Sequence, residues 1–220
     1  MNPPRRFDAV VFDMDGVLVD SEAMHLDVTC RLLAEFGIRF EATDEFLGCT
    51  DLDMYAVLVP RYGLPRDAAT LAARQVDMTI RHATGVRPMP GVPAVPRALL
   101  AAGYRIAVAS SASPPIIRAQ LSAVGLMDDF ECLVSGVEVP RGKPAPDVFL
   151  EAARRLAVAP ERCLVVEDSR NGMLAAKAAG MACAVVPCAS TRHQDFSAAE
   201  FRFASLADVA ALLRCGSPEG

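Results

Sequence analysis

The chain has no tryptophan, three histidines and, among its 22 basic side chains, only two lysines, at positions 143 and 177. It also lacks any block of one charge sign: 22 basic and 27 acidic residues are interspersed for a formal net charge of -5. No cationic stripe is therefore available to track a nucleic-acid backbone or an anionic membrane. No apolar run is long enough to span a bilayer, and the opening MNPPRRF leads directly into a strand-like segment without the apolar core of a signal peptide. The seven cysteines (30, 49, 132, 163, 183, 188 and 215) are odd in number and irregularly spaced, with no C-x-x-C pair. They read as reduced thiols filling space rather than as a disulfide framework or a zinc site. The expectation is a cytoplasmic protein without nucleic-acid or membrane partners, a monomer being the simplest assembly.

What is present is a core-forming composition, 52% hydrophobic over 220 residues, arranged with a clear rhythm. Short apolar runs recur: AVVF (9–12), RIAVAS (105–110), CLVSG (132–136), CLVVED (163–168) and ACAVVP (182–187). Each has strand length and no polar alternation, the pattern of parallel strands buried on both faces. Helical patterns lie between them. SPPIIRAQLSAVG offers Ser113 as N-cap, Pro114 in the first turn and Gly125 as a stop; PDVFLEAARRLAV starts at Asp147, read as a structural N-cap, with Val148, Leu150, Ala152 or Ala153 and Leu156 facing inward; GMLAAKAAG ends at Gly180. Strands alternating with helices predict an α/β fold with a doubly wound parallel sheet.

Residues 17–89 break the rhythm. Met24, Val28, Leu32, Leu33 and Phe36 mark one helical face before Gly37, and DMYAVLVPRYG and DAATLAARQVDMTIRHA follow, with no convincing buried strand. This predicts an α-helical insertion immediately after the first strand. The α/β core is then formed by residues 1–16 and 90–220, and RPMPGV (87–92) is the hinge by which the chain returns to it.

Ligands in open α/β sheets gather at the carboxyl ends of the strands. Asp13 and Asp15 follow the first run, Ser110 ends the second, Lys143 lies in the loop after the third, and Glu167 and Asp168 end the fourth. Clustered carboxylates need a counter-charge, and an all-oxygen set suits Mg²⁺, which accepts a phosphate oxygen. Lys143 and the Ser110 hydroxyl would hold the remaining phosphate oxygens, together with backbone N–H groups of Asp15 and Gly16. In a chain that otherwise uses arginine, a lysine at 143 supplies a compact ammonium suited to a crowded site. These groups suit phosphoryl transfer, where positioning and electrostatics dominate. GVEVPRGKP is not a Walker A loop: five residues rather than four separate its glycines, and a proline stands where Ser or Thr should bind Mg²⁺.

DMDGVLVDSE, VASSAS, GKPAPDVF and VVEDSRNG, in this order over roughly residues 7 to 190, resemble the four motifs of the haloacid dehalogenase-like (HAD) hydrolase superfamily, specifically its phosphatase and β-phosphoglucomutase branch. The resemblance implies a Rossmann-like core with a helical cap at 17–89 and an aspartyl-phosphate intermediate on Asp13. It makes Asp15 the acid for the leaving group and then the base for water. It implies Mg²⁺ bound by Asp13, the Asp15 carbonyl and Asp168, with Glu167 assisting directly or through water, and a phosphoryl group held by Ser110 and Lys143. Ser111 is a second candidate for substrate contact. His25, twelve residues after Asp13, occupies a place where related mutases and some phosphatases carry a histidine that meets the transferring group; His82 and His193 read as surface residues.

The function expected is a Mg²⁺-dependent phosphatase of a small phosphorylated metabolite. Asp15 argues against a dehalogenase, and the absence of lysine from 17–89 argues against a phosphonate hydrolase with a cap Schiff base. A β-phosphoglucomutase-like mutase is the alternative, although the LGCTD stretch ends in Asp51 where such mutases resemble one another in an arginine for the distal phosphate; Arg74, Arg81 or Arg87 could substitute. A carboxylate at 51 suggests a leaving group with hydroxyls or an amine. A phospho-accepting signalling domain would place its aspartate after a central strand of the sequence and would have no insertion.

Overall fold

A computed structural model describes residues 5–41 and 43–214. Residues 1–4 of the opening segment and Cys215 lie outside the described residues. Along the chain, β1 (Ala9–Phe12) leads to β2 (Val19–Asp20) and to helices α1 (Glu22–Ala34), α2 (Asp51–Tyr62) and α3 (Ala68–His82). After β3 (Arg87–Pro88) come α4 (Ala94–Ala101), β4 (Arg105–Ser110), α5 (Pro114–Ala123), β5 (Cys132–Ser135), α6 (Asp147–Arg155), β6 (Cys163–Glu167), α7 (Arg170–Ala178), β7 (Ala182–Val185), β8 (Phe201–Arg202) and α8 (Leu206–Arg214).

The six-stranded sheet has the order β5-β4-β1-β6-β7-β8, and all of its pairings are parallel. Its expected strands are all present; β8, only two residues long, carries too little apolar pattern to stand out in the sequence. β1 lies between β4 and β6, with Phe12 level with both Val108 and Val166. Side chains alternate between two apolar layers, as a pleated strand requires. Val10, Phe12, Ile106, Val108, Leu164 and Val166 face α4, α5 and α8. Ala9, Val11, Ala107, Ala109, Cys163 and Val165 face α6 and α7. Uninterrupted apolar runs are thus the direct result of burial on both faces.

The insertion departs from the sequence reading in one respect. Val19–Asp20 pairs antiparallel with Arg87–Pro88, so the two chain crossings between insertion and sheet are tied as a short ribbon. A two-residue strand has no periodicity to read, and a proline in it is tolerated because the ribbon is all edge. The three helices bury Leu32, Leu33, Met54, Tyr55, Leu58 and Leu71 in an apolar cluster of their own. Among the described residues, no helix is long and apolar enough to cross a membrane.

Two expectations for α6 are corrected. Leu150 points outward and is 40% exposed, and the inward face is carried by Val148, Phe149, Ala152, Ala153 and Leu156. Asp147 is no N-cap: Pro146 holds that position without a side-chain bond, and the Asp147 carboxylate pairs with Arg141 at 2.9 Å. Ser113 does precede α5 in extended geometry, but its hydroxyl makes no capping bond. Leu164→Ala should lower the unfolding free energy by about 2–5 kcal/mol, because it removes a fully buried side chain from the central sheet. Leu150→Ala should change it by no more than about 0.5 kcal/mol, both read from chemical denaturation.

Candidate active site

The carboxyl ends of β1, β4 and β6 meet at one edge of the sheet, and the loop after β5 reaches the same point. Asp13 continues β1, and its N–H donates to the Val166 carbonyl at 2.9 Å, which fixes its backbone against β6. The Lys143 ammonium, 3% exposed, donates to Asp13 Oδ1 at 2.5 Å, to Glu167 Oε1 at 2.7 Å and to the Ala109 carbonyl at 3.1 Å. Its three donors therefore join β1, β4 and β6. Both carboxylates push its pKa far up, against the burial that would lower it.

Glu167 is saturated. Beyond Lys143, its Oε2 accepts from the N–H groups of Asp168 and Ser169 and from the Ser169 hydroxyl, each at 2.9 Å. Four donors on two oxygens make Glu167 an anchor for Lys143 and for the turn into α7. Asp168 turns the other way. Its Oδ2 accepts from Cys188 Sγ at 3.0 Å and Thr191 Oγ1 at 3.1 Å, two partners from the loop after β7 that carry no signal in the sequence.

Oxygen atoms of Asp13, Glu167 and Asp168 all lie within 4.8 Å of one another. Burial raises the pKa of Asp13 well above its ordinary value, with Lys143 opposing and Glu167 and Asp15 adding to the rise; burial, Glu167 and Asp13 do the same to Asp168. Hard oxygen donors with surplus negative charge suit a hard divalent cation. Glycine supplies the room. A Cβ at Gly16, which has φ +78°, would lie 2.4 Å from Asp168 Oδ2, and one at Gly172 would lie 1.7 Å from Glu167 Oε1. The Gly16 N–H, expected to be free for an anion, instead donates to the Val19 carbonyl at 2.8 Å. Its place in the tight turn uses that bond, so what Gly16 contributes is space.

Asp15 is held apart from Asp13. Ser21 donates a short hydrogen bond to its Oδ1, His25 Nε2 lies 3.1 Å from the same oxygen, and Ser110 Oγ is 3.5 Å from Oδ2. Burial works to raise Asp15, but the His25 imidazolium and the Ser21 hydroxyl prevail and hold it below its ordinary pKa. Burial likewise disfavours the charged form of His25, yet Asp15 raises it to about 9. Gln120, fully buried, brings its amide to 3.3 Å from the same ring nitrogen.

Ser110 is fully buried with its Oγ accepting from the Ala112 N–H at 3.0 Å, whereas Ser111 lines the open cavity and donates to the Gly48 carbonyl of the insertion at 2.7 Å. The cavity, about 800 Å³, lies between the sheet edge and the helices of the insertion; Asp13, Asp15, Gly16, His25 and Asp168 line it, with Glu22, Phe40, Phe46, Asp51 and Gln75 from the insertion opposite. Asn171 donates to the Leu47 carbonyl at 2.9 Å, and His193, exposed as expected of a surface residue, reaches Asp44 at 2.6 Å and lines the same cavity. His82 is exposed, as expected.

Gly172→Ala should displace the Glu167 carboxylate and cost at least about 1–3 kcal/mol of stability, since bonded buried groups would lose their partners; thermal unfolding measures it. His25 yields a pH prediction. Its folded pKa, about 9, is raised from 6.5, so its stabilising contribution is full below about pH 6.5 and disappears as pH rises through about 9. The stability difference between wild type and His25→Gln in metal-free protein should be largest at the low end of that window and shrink steadily above it, as read by chemical denaturation.

A family model described as haloacid dehalogenase-like hydrolase matches residues 7–180. Hexitol phosphatase B of Escherichia coli (strain K12) is 32% identical over 219 residues, covering 96% of this chain and 98% of that protein. The bifunctional riboflavin kinase/FMN phosphatase of Arabidopsis thaliana is 30% identical over 203 residues, or 91% of this chain; the chain spans 54% of that protein's length. A crystal structure of a mutant of CbbY from Rhodobacter sphaeroides in complex with xylulose-(1,5)bisphosphate superposes with a TM-score of 0.84 at 28% identity, covering 92% of this chain and 96% of the other.

Proposed function

The chain belongs to the haloacid dehalogenase-like hydrolases, and from that premise we propose that it is a Mg²⁺-dependent phosphatase of a small phosphorylated metabolite, with Asp13 as the nucleophile. The observation that carries this reading is the buried Lys143 bridging Asp13 and Glu167 at the point where three strand ends meet. A cation so placed orients one Asp13 oxygen, and among the described residues nothing donates to the other oxygen of this cavity-lining side chain.

Asp13 would attack the phosphorus of a phosphomonoester and form an aspartyl phosphate. Asp15, held by Ser21 and His25 on the cavity side, would carry the proton that the leaving oxygen needs and would then take one from the attacking water. Because His25 keeps Asp15 ionised at rest, the proton must be available from the imidazolium as the substrate approaches. Lys143 and the Ser110 hydroxyl would neutralise and orient the phosphoryl oxygens, with Ser111 at the mouth of the same pocket. Asp13, Asp168 and the Asp15 carbonyl would hold Mg²⁺, and Glu167, its oxygens already occupied, would act as support. When bound, the ion supplies charge neutralisation at the phosphoryl oxygens.

In this reading residues 17–89 form a cap over a core made of 1–16 and 90–220, and the protein works as a cytoplasmic monomer. The mutase alternative loses its support. Arg74 is paired with Glu35 at 2.8 Å, and none of Arg74, Arg81 and Arg87 is among the residues lining the cavity.

Phosphorus NMR with Mg²⁺ and a panel of sugar, polyol and two-carbon phosphate esters should show growth of free phosphate that chelator abolishes. Asp13→Asn should remove turnover while leaving the unfolding transition in place. Near-normal activity in that variant would refute the nucleophile assignment, and a new ester signal without phosphate release would restore the mutase.

A further inference from the structure

The half of the cavity opposite Asp13 holds an arrangement that phosphoryl transfer does not use. Asp51, the first residue of α2, lines the cavity. Its Oδ1 accepts from Gln75 Nε2 at 2.8 Å. The Gln75 amide is fixed from behind, because its oxygen accepts from Tyr55 OH at 2.6 Å and from Thr29 Oγ1 at 3.3 Å. Gln75 is 2% exposed, Tyr55 fully buried and Thr29 4% exposed, amid the apolar cluster of the insertion. Buried polar chains of this kind are costly unless satisfied, and here the Tyr55 hydroxyl, with the Thr29 hydroxyl that it shares with the His25 carbonyl at 3.0 Å, fixes the amide that presents one carboxylate at the cavity wall. Among the described residues, nothing donates to Asp51 Oδ2.

The surrounding charge has one sign. Asp20, Glu22, Asp44 and Asp51 line the insertion side, and among the described residues no lysine or arginine lines the cavity. The groups that can carry positive charge are committed: Lys143 to Asp13 and Glu167, His25 to Asp15, and His193 to Asp44. Burial raises the Asp51 pKa, opposed by His25 and by the Gln75 amide, so a ligand that brings a donor relieves a cost the free protein carries.

We propose that Asp51 is a specificity-determining residue, whose free oxygen accepts a hydrogen bond from a hydroxyl or ammonium donor on the leaving group, and that the cavity rejects a leaving group carrying a second phosphate or a carboxylate. This rests on the phosphatase reading and narrows it to donor-rich, non-anionic esters. The chemistry differs from that of the CbbY variant, whose structure contains a bisphosphate: a second phosphate in this cavity would meet carboxylates without a free cation, and like charges in a confined site repel strongly.

The test is kcat/KM, with Mg²⁺, for three esters of similar size: a hexitol monophosphate, an amino-sugar monophosphate and a hexose bisphosphate. The first two should exceed the third by roughly tenfold or more, the scale of one hydrogen bond to a charged group. Asp51→Asn, which keeps the shape and removes the charge, should raise KM for the amino-sugar ester and bring its kcat/KM down by roughly tenfold relative to the bisphosphate. Asp51→Arg should reverse the ranking in favour of the bisphosphate. Far-ultraviolet circular dichroism and the unfolding midpoint establish that each variant is folded, and either variant alone suffices for the comparison. Hydrolysis of p-nitrophenyl phosphate reports the phosphoryl half by itself. If the wild type cleaves that compound but treats the three esters alike, or if the ratios are the same in the Asp51 variants, the inference is overturned and the phosphatase reading stands. If the wild type cleaves none of the four compounds, the reading itself falls, and the inference with it.

Discussion

A lysine ammonium buried among carboxylates organises everything at the sheet edge. Lys143 is in contact with Asp13 and Glu167 and with the carbonyl of Ala109. A lone buried charge would cost far more than a folded domain can spare, and a paired one persists only where its geometry is complete. Here it is complete on both sides: Glu167 is in turn held by two N–H groups and a hydroxyl at the start of α7. The loop after β5, the end of β1 and the end of β6 therefore cannot shift independently.

Charge accounting around that lysine explains the character of the site. Asp13, Asp15, Glu167 and Asp168 are four carboxylates, and Lys143 and His25 are two cations within bonding distance of them. The balance is two negative charges, the complement of one divalent cation. Without such an ion, burial and the neighbouring carboxylates raise Asp13 and Asp168, and the Lys143 contact on Asp13 does not offset them. Asp15, with its own imidazolium, escapes that fate and stays low. The two aspartates of one D-x-D motif thus titrate in opposite directions: without an ion it is Asp13 that favours its proton, and a divalent cation at the acidic cluster would draw Asp13 back towards its carboxylate form.

The helical insertion completes the cavity with a different logic. The sheet edge gathers charge that must be neutralised, while α2 and α3 use a buried amide to display a carboxylate towards the same space. Segment 44–50 rests on the core through Ser111, Asn171 and His193, which reach Gly48, Leu47 and Asp44. Those contacts place the wall carrying Asp51 in register with the carboxylates and the lysine of the sheet edge.

The sequence by itself determined the strands of the sheet other than β8, the helical insertion and the residues brought to the strand ends. Its information was local: uninterrupted apolar runs, glycine and proline punctuation, and acids immediately following a strand. Lys143 was legible because it is one of two lysines in an arginine-rich chain, and Asp51 because it interrupts an otherwise familiar motif. The tertiary structure alone decided that Leu150 faces outward, that Asp147 pairs with Arg141, that the Gly16 N–H is spent on Val19, and that Cys188 and Thr191 hold Asp168. It alone joined Asp51 to Gln75 and paired Val19–Asp20 with Arg87–Pro88 as a short ribbon. These are pairings between elements distant along the chain, or choices among several bonds open to one polar group. No periodicity encodes them, because their energy exists only once both partners have been brought together and water excluded.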